Sequence, residues 1–271
     1  MPASEPNPGR FVAALVILGD FTLFALRALQ GTVGRHIRPR LVIPIFYHIG
    51  VRSVGVVLIT GLFLGMVLAV EAWSQFHPYG FDSALGTISI QAILSELGPV
   101  LAAVMLAGRI GSSMAAELGT MRVTEQIDAL SCLGVDPVHY LVSPRFLACL
   151  LLIPLLTILA DASGIFGSTF ICLYVYNIDS HNYWEHTLKL TGLWEVFTGI
   201  IKALVFGSVL ALISCYRGFR ARAGAEGVGR AATEAFVASF IVILILDFFL
   251  VFFLNELHAV IFPARAQAGF Q

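Results

Sequence analysis

Crossing a hydrocarbon layer of about 30 Å takes about 20 apolar residues of helix at 1.5 Å each. Five runs of this chain meet that length: approximately Ser53 to Val70, Leu85 to Ala107, Phe146 to Tyr176, Val196 to Tyr216 and Ala235 to Leu254. The third exceeds one crossing and carries Pro154 and Gly164, which predicts a tilted or kinked helix, or one continued beyond the bilayer. The stretch from Phe11 to Leu29 reads differently. Its apolar run stops at Asp20, and Asp20 and Arg27, seven apart, share one stripe, the pattern of a helix lying in the interface. A cleaved signal peptide fits poorly, because only Arg10 precedes the run and no convincing small-x-small site follows. The expected organisation is therefore interfacial or cytoplasmic helices over 1–52, a five-span domain over 53–254 and an outer-side tail over 255–271.

Composition agrees with that pattern. Of 271 residues, 58% are AVILMFWYC and only 12% charged, against roughly 25% charged in soluble domains; the mean hydropathy is +0.88. With only two lysines, Lys189 and Lys202, the chain cannot wrap a water-facing surface. An all-α integral membrane protein follows, and disorder, a secreted disulfide scaffold and a soluble nucleic-acid binder are excluded. Arginines set the orientation. Arg35, Arg38, Arg40 and Arg52 precede the first span, Arg109, Arg122 and Arg145 follow the second, and Arg217, Arg220, Arg222 and Arg230 follow the fourth. The loop from Trp73 to Ala84 has no Lys or Arg, and that from Asn177 to Gly192 only Lys189. The arginine-rich ends are expected in the cytoplasm and the C-terminus outside.

Small residues recur at intervals of four: Gly61 with Gly65, Ala103 with Ala107 and Gly111, Ala160 with Gly164 and Ser168. Such stripes let helix backbones approach, within one chain or between copies. Cys132, Cys149, Cys172 and Cys215 have no metal-ligand spacing and read as free thiols.

The segment from Ala107 to Pro137 is the most informative. Thr120 is a plausible N-cap, Gly134 a stop and Pro137 the punctuation after it, which predicts a helix over about 120–134. At about 100° per residue Val123, Ile127 and Leu130 share one arc, with Met121, Glu125 and Asp128 opposite. Too short and polar to span, it is either a connector with solvated charges or a docking helix for a cytoplasmic partner.

The runs Glu96-Leu-Gly-Pro-Val, Ala107-Gly-Arg-Ile-Gly, Ala116-Glu-Leu-Gly-Thr-Met-Arg-Val-Thr-Glu-Gln-Ile-Asp-Ala-Leu, Gly134-Val-Asp-Pro, Ser143-Pro-Arg and Ala225-Glu-Gly-Val-Gly-Arg-Ala-Ala-Thr resemble the signature of the MlaE/YrbE family of ABC-transporter permeases, which includes plastid lipid permeases. The resemblance covers about Tyr47 to Leu254. It implies a homodimeric five-span permease for phospholipids or related lipids in the bacterial inner membrane, with no cofactor of its own. It also implies a cytoplasmic ABC ATPase pair that binds ATP and Mg, often a STAS-domain regulator, and an outer hexameric ring of MCE-domain subunits. The segment just described corresponds to the family's coupling helix, which makes Glu117, Met121, Arg122, Glu125, Gln126 and Asp128 candidate ATPase contacts.

A charge at the middle of a membrane helix costs roughly 2.5–3.5 kcal/mol on insertion scales, so each needs a partner, a wet cavity or a role. Glu71 lies at an outer end and reads as an anchor. Glu96, just before Gly98-Pro99, and Lys202 can relieve each other as an ion pair. The family places a carboxylate and a lysine at matching positions near its lipid pocket, so the resemblance makes Glu96, Lys202 and the neighbouring Ser95 candidate head-group contacts. Ser95 stands where the family commonly has a basic residue. Asp161 and Asp247 are expected to hydrogen-bond across helices.

No GxxxxGK[ST], GxSxG or HExxH occurs, so no ATPase, hydrolase or zinc-protease site is expected in this chain. His181, His186, Asp179 and Glu185 fit no zinc spacing and read as solvated loop polarity. Two rivals remain. A proton-coupled secondary transporter using Glu96, Asp161 and Asp247 with Lys202 requires inverted repeats that the chain does not show. An intramembrane aspartyl protease on Asp161 and Asp247 lacks the GxGD context.

Overall fold

The computed structural model describes residues 10–34, 39–81 and 84–261. Arg35 and Arg38 lie outside the described residues, as does the chain from 262 on. Within them the protein is helical with no strand: α1 (Arg10–Gly34), α2 (Pro39–Phe46), α3 (Arg52–Phe76), α4 (Leu85–Ala92), α5 (Gly98–Leu106), α6 (Ser112–Val123), α7 (Gln126–Cys132), α8 (Ser143–Phe170), α9 (Ser180–Leu190), α10 (Leu193–Phe219) and α11 (Ala225–Ile261).

Several of these join end to end through π-helical turns at Tyr47–Val51, Ile93–Leu97, Ala107–Gly111, Val138–Val142 and Ile171–Val175. Two of the turns end just before a proline, Pro99 or Pro144, whose missing N–H takes a donor out of the ladder so that it shifts register. Joined in this way, Val42–Tyr79, Leu85–Val123 and Val138–Val175 are rods of 38, 39 and 38 residues. At 1.5 Å per residue each runs roughly 57 Å, well past the hydrocarbon. The length expected of the third apolar run is thus shared by three, and α11 likewise continues past Leu254 to Ile261.

Among the described residues six helices are long and apolar enough to cross a membrane: the five expected spans and Leu15–Thr32 within α1. Its contacts set it apart. Asp20 accepts from Tyr216 Oη at 3.2 Å and pairs with Arg220, Phe21 and Phe24 pack edge-on against Tyr216, Phe24 also meets Phe219, and the Ala28 carbonyl accepts from Ser143 Oγ at 3.2 Å. All these partners lie in the last turn of α10, its cap, or the first turn of α8. From Asp20 to Ala28, α1 therefore runs across the arginine-rich helix ends rather than down beside them.

The central seam is α3 against α8. A Cβ on Gly61 would collide with the Ala160 carbonyl, one on Gly65 with the Gly164 carbonyl, and one on Gly167 with the Leu62 carbonyl. Two of the small-residue stripes thus face each other within one chain. The third meets α10: Ala103 and Ala107 are fully buried, and Gly111 abuts Ser214 and Leu210. α11 buries Gly227, Ala231, Ala235, Ser239 and Ile243 at four-residue steps, then leaves Phe248, Phe249, Phe252 and Phe253 exposed. The polar stretch after Asn177 is the helix α9, not a loop. Asp179 caps it by accepting from the Asn182 backbone N–H at 3.1 Å, and buried Tyr183 and Thr187 press on Gly86 of α4. At the same end Trp73 stacks between His77 and Tyr176, with centroids 3.9 and 4.3 Å away.

Candidate functional site

The carboxylate Glu96 sits in the π-turn Ile93–Leu97 that Pro99 forces. Beside that turn α10 comes unusually close, because Gly199 leaves room for the Leu94 carbonyl. Lys202, one turn further along α10, thereby reaches the turn: its Nζ donates to Glu96 Oε2 at 2.6 Å and lies 3.1 Å from Asp247 Oδ1 of α11. The lysine side chain is 0% exposed, Asp247 20% and Glu96 42%. One buried cation thus holds two carboxylates from two other helices, and one of those carboxylates keeps a free face.

The expected Glu96–Lys202 pair is present, and the cross-helix bond expected of Asp247 takes the form of an ion pair with the same lysine. Insertion cost marks Asp247 as a residue needing a partner, yet spacing along the chain cannot say which one. Ser95 turns away and donates to the Gln91 carbonyl at 2.6 Å. The interhelical hydrogen bond expected of Asp161 is missing at Oδ1, which is buried against Gly98 without a partner. Next to the cluster, a hollow of about 400 Å³ is lined by Leu244, Asp247, Phe248, Val251 and Phe252 of α11 among others. Charge and apolar wall therefore adjoin.

At the arginine-rich end the single helix expected over 120–134 is broken. Thr120 is no cap; it lies inside α6 and returns its hydroxyl to the Ala116 carbonyl at 2.9 Å. The chain turns at Thr124, Glu125 takes a left-handed conformation with φ 59°, and α7 starts at Gln126. Gly134, at φ 73°, ends that helix as expected. Ile127 is buried and Leu130 packs on the core, but so does Met121, which was expected on the opposite face. Arg122 pairs with Asp128, Gln126 Nε2 donates to Thr124 Oγ1 at 3.0 Å, and Glu117 meets Arg145 at 3.2 Å. Glu125 is exposed. The tip also presents apolar side chains that charge-based reasoning passed over: Leu133, 78% exposed, with Val135 and Tyr140.

A left-handed conformation costs a residue bearing a Cβ about 1 kcal/mol. Glu125→Gly is accordingly expected to raise stability by up to about 1 kcal/mol and Glu125→Val to lower it by about as much again, read from thermal unfolding of the detergent-solubilised protein.

Among the described residues no group of three or more His, Cys, Asp or Glu side chains could hold a metal. Glu185 is engaged by Lys189 at 2.6 Å, whose hydrogen bond and charge hold its carboxyl below the usual range, and it also faces His181 at 3.6 Å. The four cysteines are free, with Cys132 exposed and the others buried.

These features can be set beside known proteins. The chain is 39% identical over 231 residues to a probable ABC transporter permease protein of Rickettsia typhi, covering 85% of this chain and 89% of that one. It is 41% identical over 241 residues to a probable ABC transporter permease protein of Synechocystis, covering 89% of each. It is 35% identical over 254 residues to the chloroplastic protein trigalactosyldiacylglycerol 1 of Arabidopsis thaliana, covering 92% of this chain and 71% of that one. Residues 42–253 match the family described as Permease MlaE, so the π-turn glutamate, the buried lysine and the broken tip all fall inside the matched region, and the chain belongs to the MlaE permease family.

Proposed function

We propose that this chain is the membrane subunit of an ABC transporter that moves phospholipids or related hydrophobic lipids between a bacterial inner membrane and an MCE-type carrier, driven by a separate ATPase. The observation that carries the cargo is the Lys202 cluster. A lipid needs polar groups for its head and apolar surface for its chains, and here Asp247 borders the hollow walled by Leu244, Phe248, Val251 and Phe252, while Glu96, 42% exposed, shares its lysine. The name of the Arabidopsis relative, which contains that of a galactolipid, supports the same class. In a homodimer the exposed phenylalanine face of α11 is a surface that a second copy or lipid covers, and the cavity lies between protomers. α1, laid across the arginine-rich helix ends, supports an interfacial role for the segment before residue 52.

The ATPase, which supplies ATP and Mg, docks at the broken tip. Exposed Glu125, Gln126 and Asp128 provide polarity there, and Leu133, Val135 and Tyr140 provide apolar anchors. A STAS-domain subunit on the same side and a hexameric MCE ring on the other complete the complex.

Leu133 is 78% exposed, so Leu133→Asp is expected to leave the fold unchanged. It is expected to weaken ATPase capture in a co-purification by roughly tenfold or more, the range of a central interface anchor. Undiminished capture contradicts the docking site.

A further inference from the structure

One rod joins the tip to the Glu96 cluster. Leu85–Val123 is helical throughout and leads at one end into the break at Thr124. From Leu85 to Met121 its only charged residues are Glu96, Arg109 and Glu117. Each ties the rod to a different neighbour. Glu96 meets Lys202 of α10 at 2.6 Å, and Glu117 meets Arg145 of α8 at 3.2 Å. Arg109 reaches α3: its Nη1 donates to Ser53 Oγ, and the wholly buried Ser53 donates in turn to the Ile49 carbonyl at 2.5 Å. A charge within a span is costly to insert, and an apolar residue would serve if packing were all that was needed.

Both ends of this third tie are π-turns. Arg109 lies in Ala107–Gly111, where the Ser112 N–H reaches back five residues to the Ala107 carbonyl, and Ile49 lies in Tyr47–Val51, where the Arg52 N–H reaches the Tyr47 carbonyl in the same way. A π-turn holds one residue more than the α-helical turn it replaces. That extra residue can step along the ladder by exchanging one hydrogen bond for the next, and each step turns the helix between by about 100°. The other faces of the Arg109 turn offer little resistance to such a step. Gly108 presents bare backbone to Phe236 of α11 and Gly111 to Ser214 of α10, whose buried hydroxyl has no partner among the described residues. A step would also swing Arg109 away from Ser53, so the bond between them opposes it. The turn stands about midway between Glu96 and the break at Thr124, roughly 20 Å from each.

We propose that Arg109 is a positioning residue for transport: by gripping Ser53 it pins the π-turn Ala107–Gly111 in register, so that movement of the tip reaches Glu96 through one rigid rod. Without the grip the turn slips and absorbs the movement, and ATP is hydrolysed without shifting Glu96. The pinning role rests on the transporter reading above, in which an ATPase moves the tip.

The test uses the full chain with its ATPase in proteoliposomes and reads three quantities for each variant: ATPase capture, ATP turnover, and labelled phospholipid transferred per ATP. Arg109→Gln and Ser53→Ala are expected to keep capture and turnover while transfer per ATP falls roughly tenfold, the range of one charge-assisted hydrogen bond. Ser53→Thr, which keeps the hydroxyl, should transfer as wild type does. The double variant should be no worse than either single one, because both remove the same bond. Ser53→Ala decides the matter if Arg109→Gln does not fold. Wild-type transfer per ATP in Ser53→Ala overturns the pinning role, as do capture and turnover that fall in step with transfer, or losses that add in the double variant. Wild-type transfer that needs no ATP overturns the transporter reading and the pinning role together, so the two failures are told apart.

Discussion

Lys202→Met is expected to cost the folded protein about 3 kcal/mol and to abolish lipid transport, whereas Glu96→Gln should leave the fold largely intact and reduce transport at least about tenfold. The difference follows from burial. Lys202 is wholly enclosed and is the one cation between Glu96 and Asp247. Removing a partner from a buried ionic cluster leaves uncompensated charge, a loss of about 3–5 kcal/mol. Charge reversal there is worse, because it sets three carboxylates together. Glu96 is 42% exposed, and without its charge Lys202 keeps Asp247, so the main loss in Glu96→Gln is the polar group offered to cargo. Thermal unfolding in detergent separates the two effects from transport in proteoliposomes. A Lys202→Met protein as stable as wild type contradicts the closed cluster, and full transport by Glu96→Gln contradicts its role toward a head group.

The second large effect lies at the α3–α8 seam. At Gly65 an added methyl meets the Gly164 backbone carbonyl, which cannot rotate away as a side chain could. Gly65→Ala must therefore part the two rods and is expected to cost about 3 kcal/mol, the upper range for overpacking. Gly55, on the same helix, has nothing within 4 Å of its would-be Cβ, and Gly55→Ala should change stability by less than about 1 kcal/mol. Melting temperatures of the pair, measured side by side, check the seam directly. Equal shifts for both would mean that α3 does not pack on α8 as described.

Much of this architecture is legible from hydropathy alone, because a bilayer demands apolar runs of one length, and five of the six long helices follow from that rule. α1 shows its limit. Length and composition qualify it as a span, while Asp20 binds Tyr216 and Arg220 at a helix end, a fact of tertiary packing that no window over the sequence contains. The Glu96–Lys202 pair follows from insertion cost, but Asp247 joins it only once α11 is packed beside α10. Ser95 adjoins Glu96 in sequence, but side chains at neighbouring helical positions diverge, and its hydroxyl serves the preceding turn. The tip hides its break for a related reason. A threonine ahead of an amphipathic stretch resembles an N-cap, yet Thr120 bonds back to Ala116 inside a helix already under way. The real break, at Glu125, has a residue type that seldom adopts positive φ and so sends no local signal. Leu133 and Val135 escaped because exposure of apolar residues at a turn is visible only in three dimensions.

Membership in the MlaE permease family leaves one claim above all to be tested, that nucleotide hydrolysis in a neighbouring subunit moves lipid through this chain. The direct measurement is transfer of labelled phospholipid out of proteoliposomes holding this chain with its ATPase. Transfer should require ATP, stop when the ATPase's Walker lysine is replaced, and fall in step with ATPase capture in Leu133→Asp. Transfer that continues unchanged with the inactive ATPase, or that follows an imposed pH gradient instead, contradicts the account.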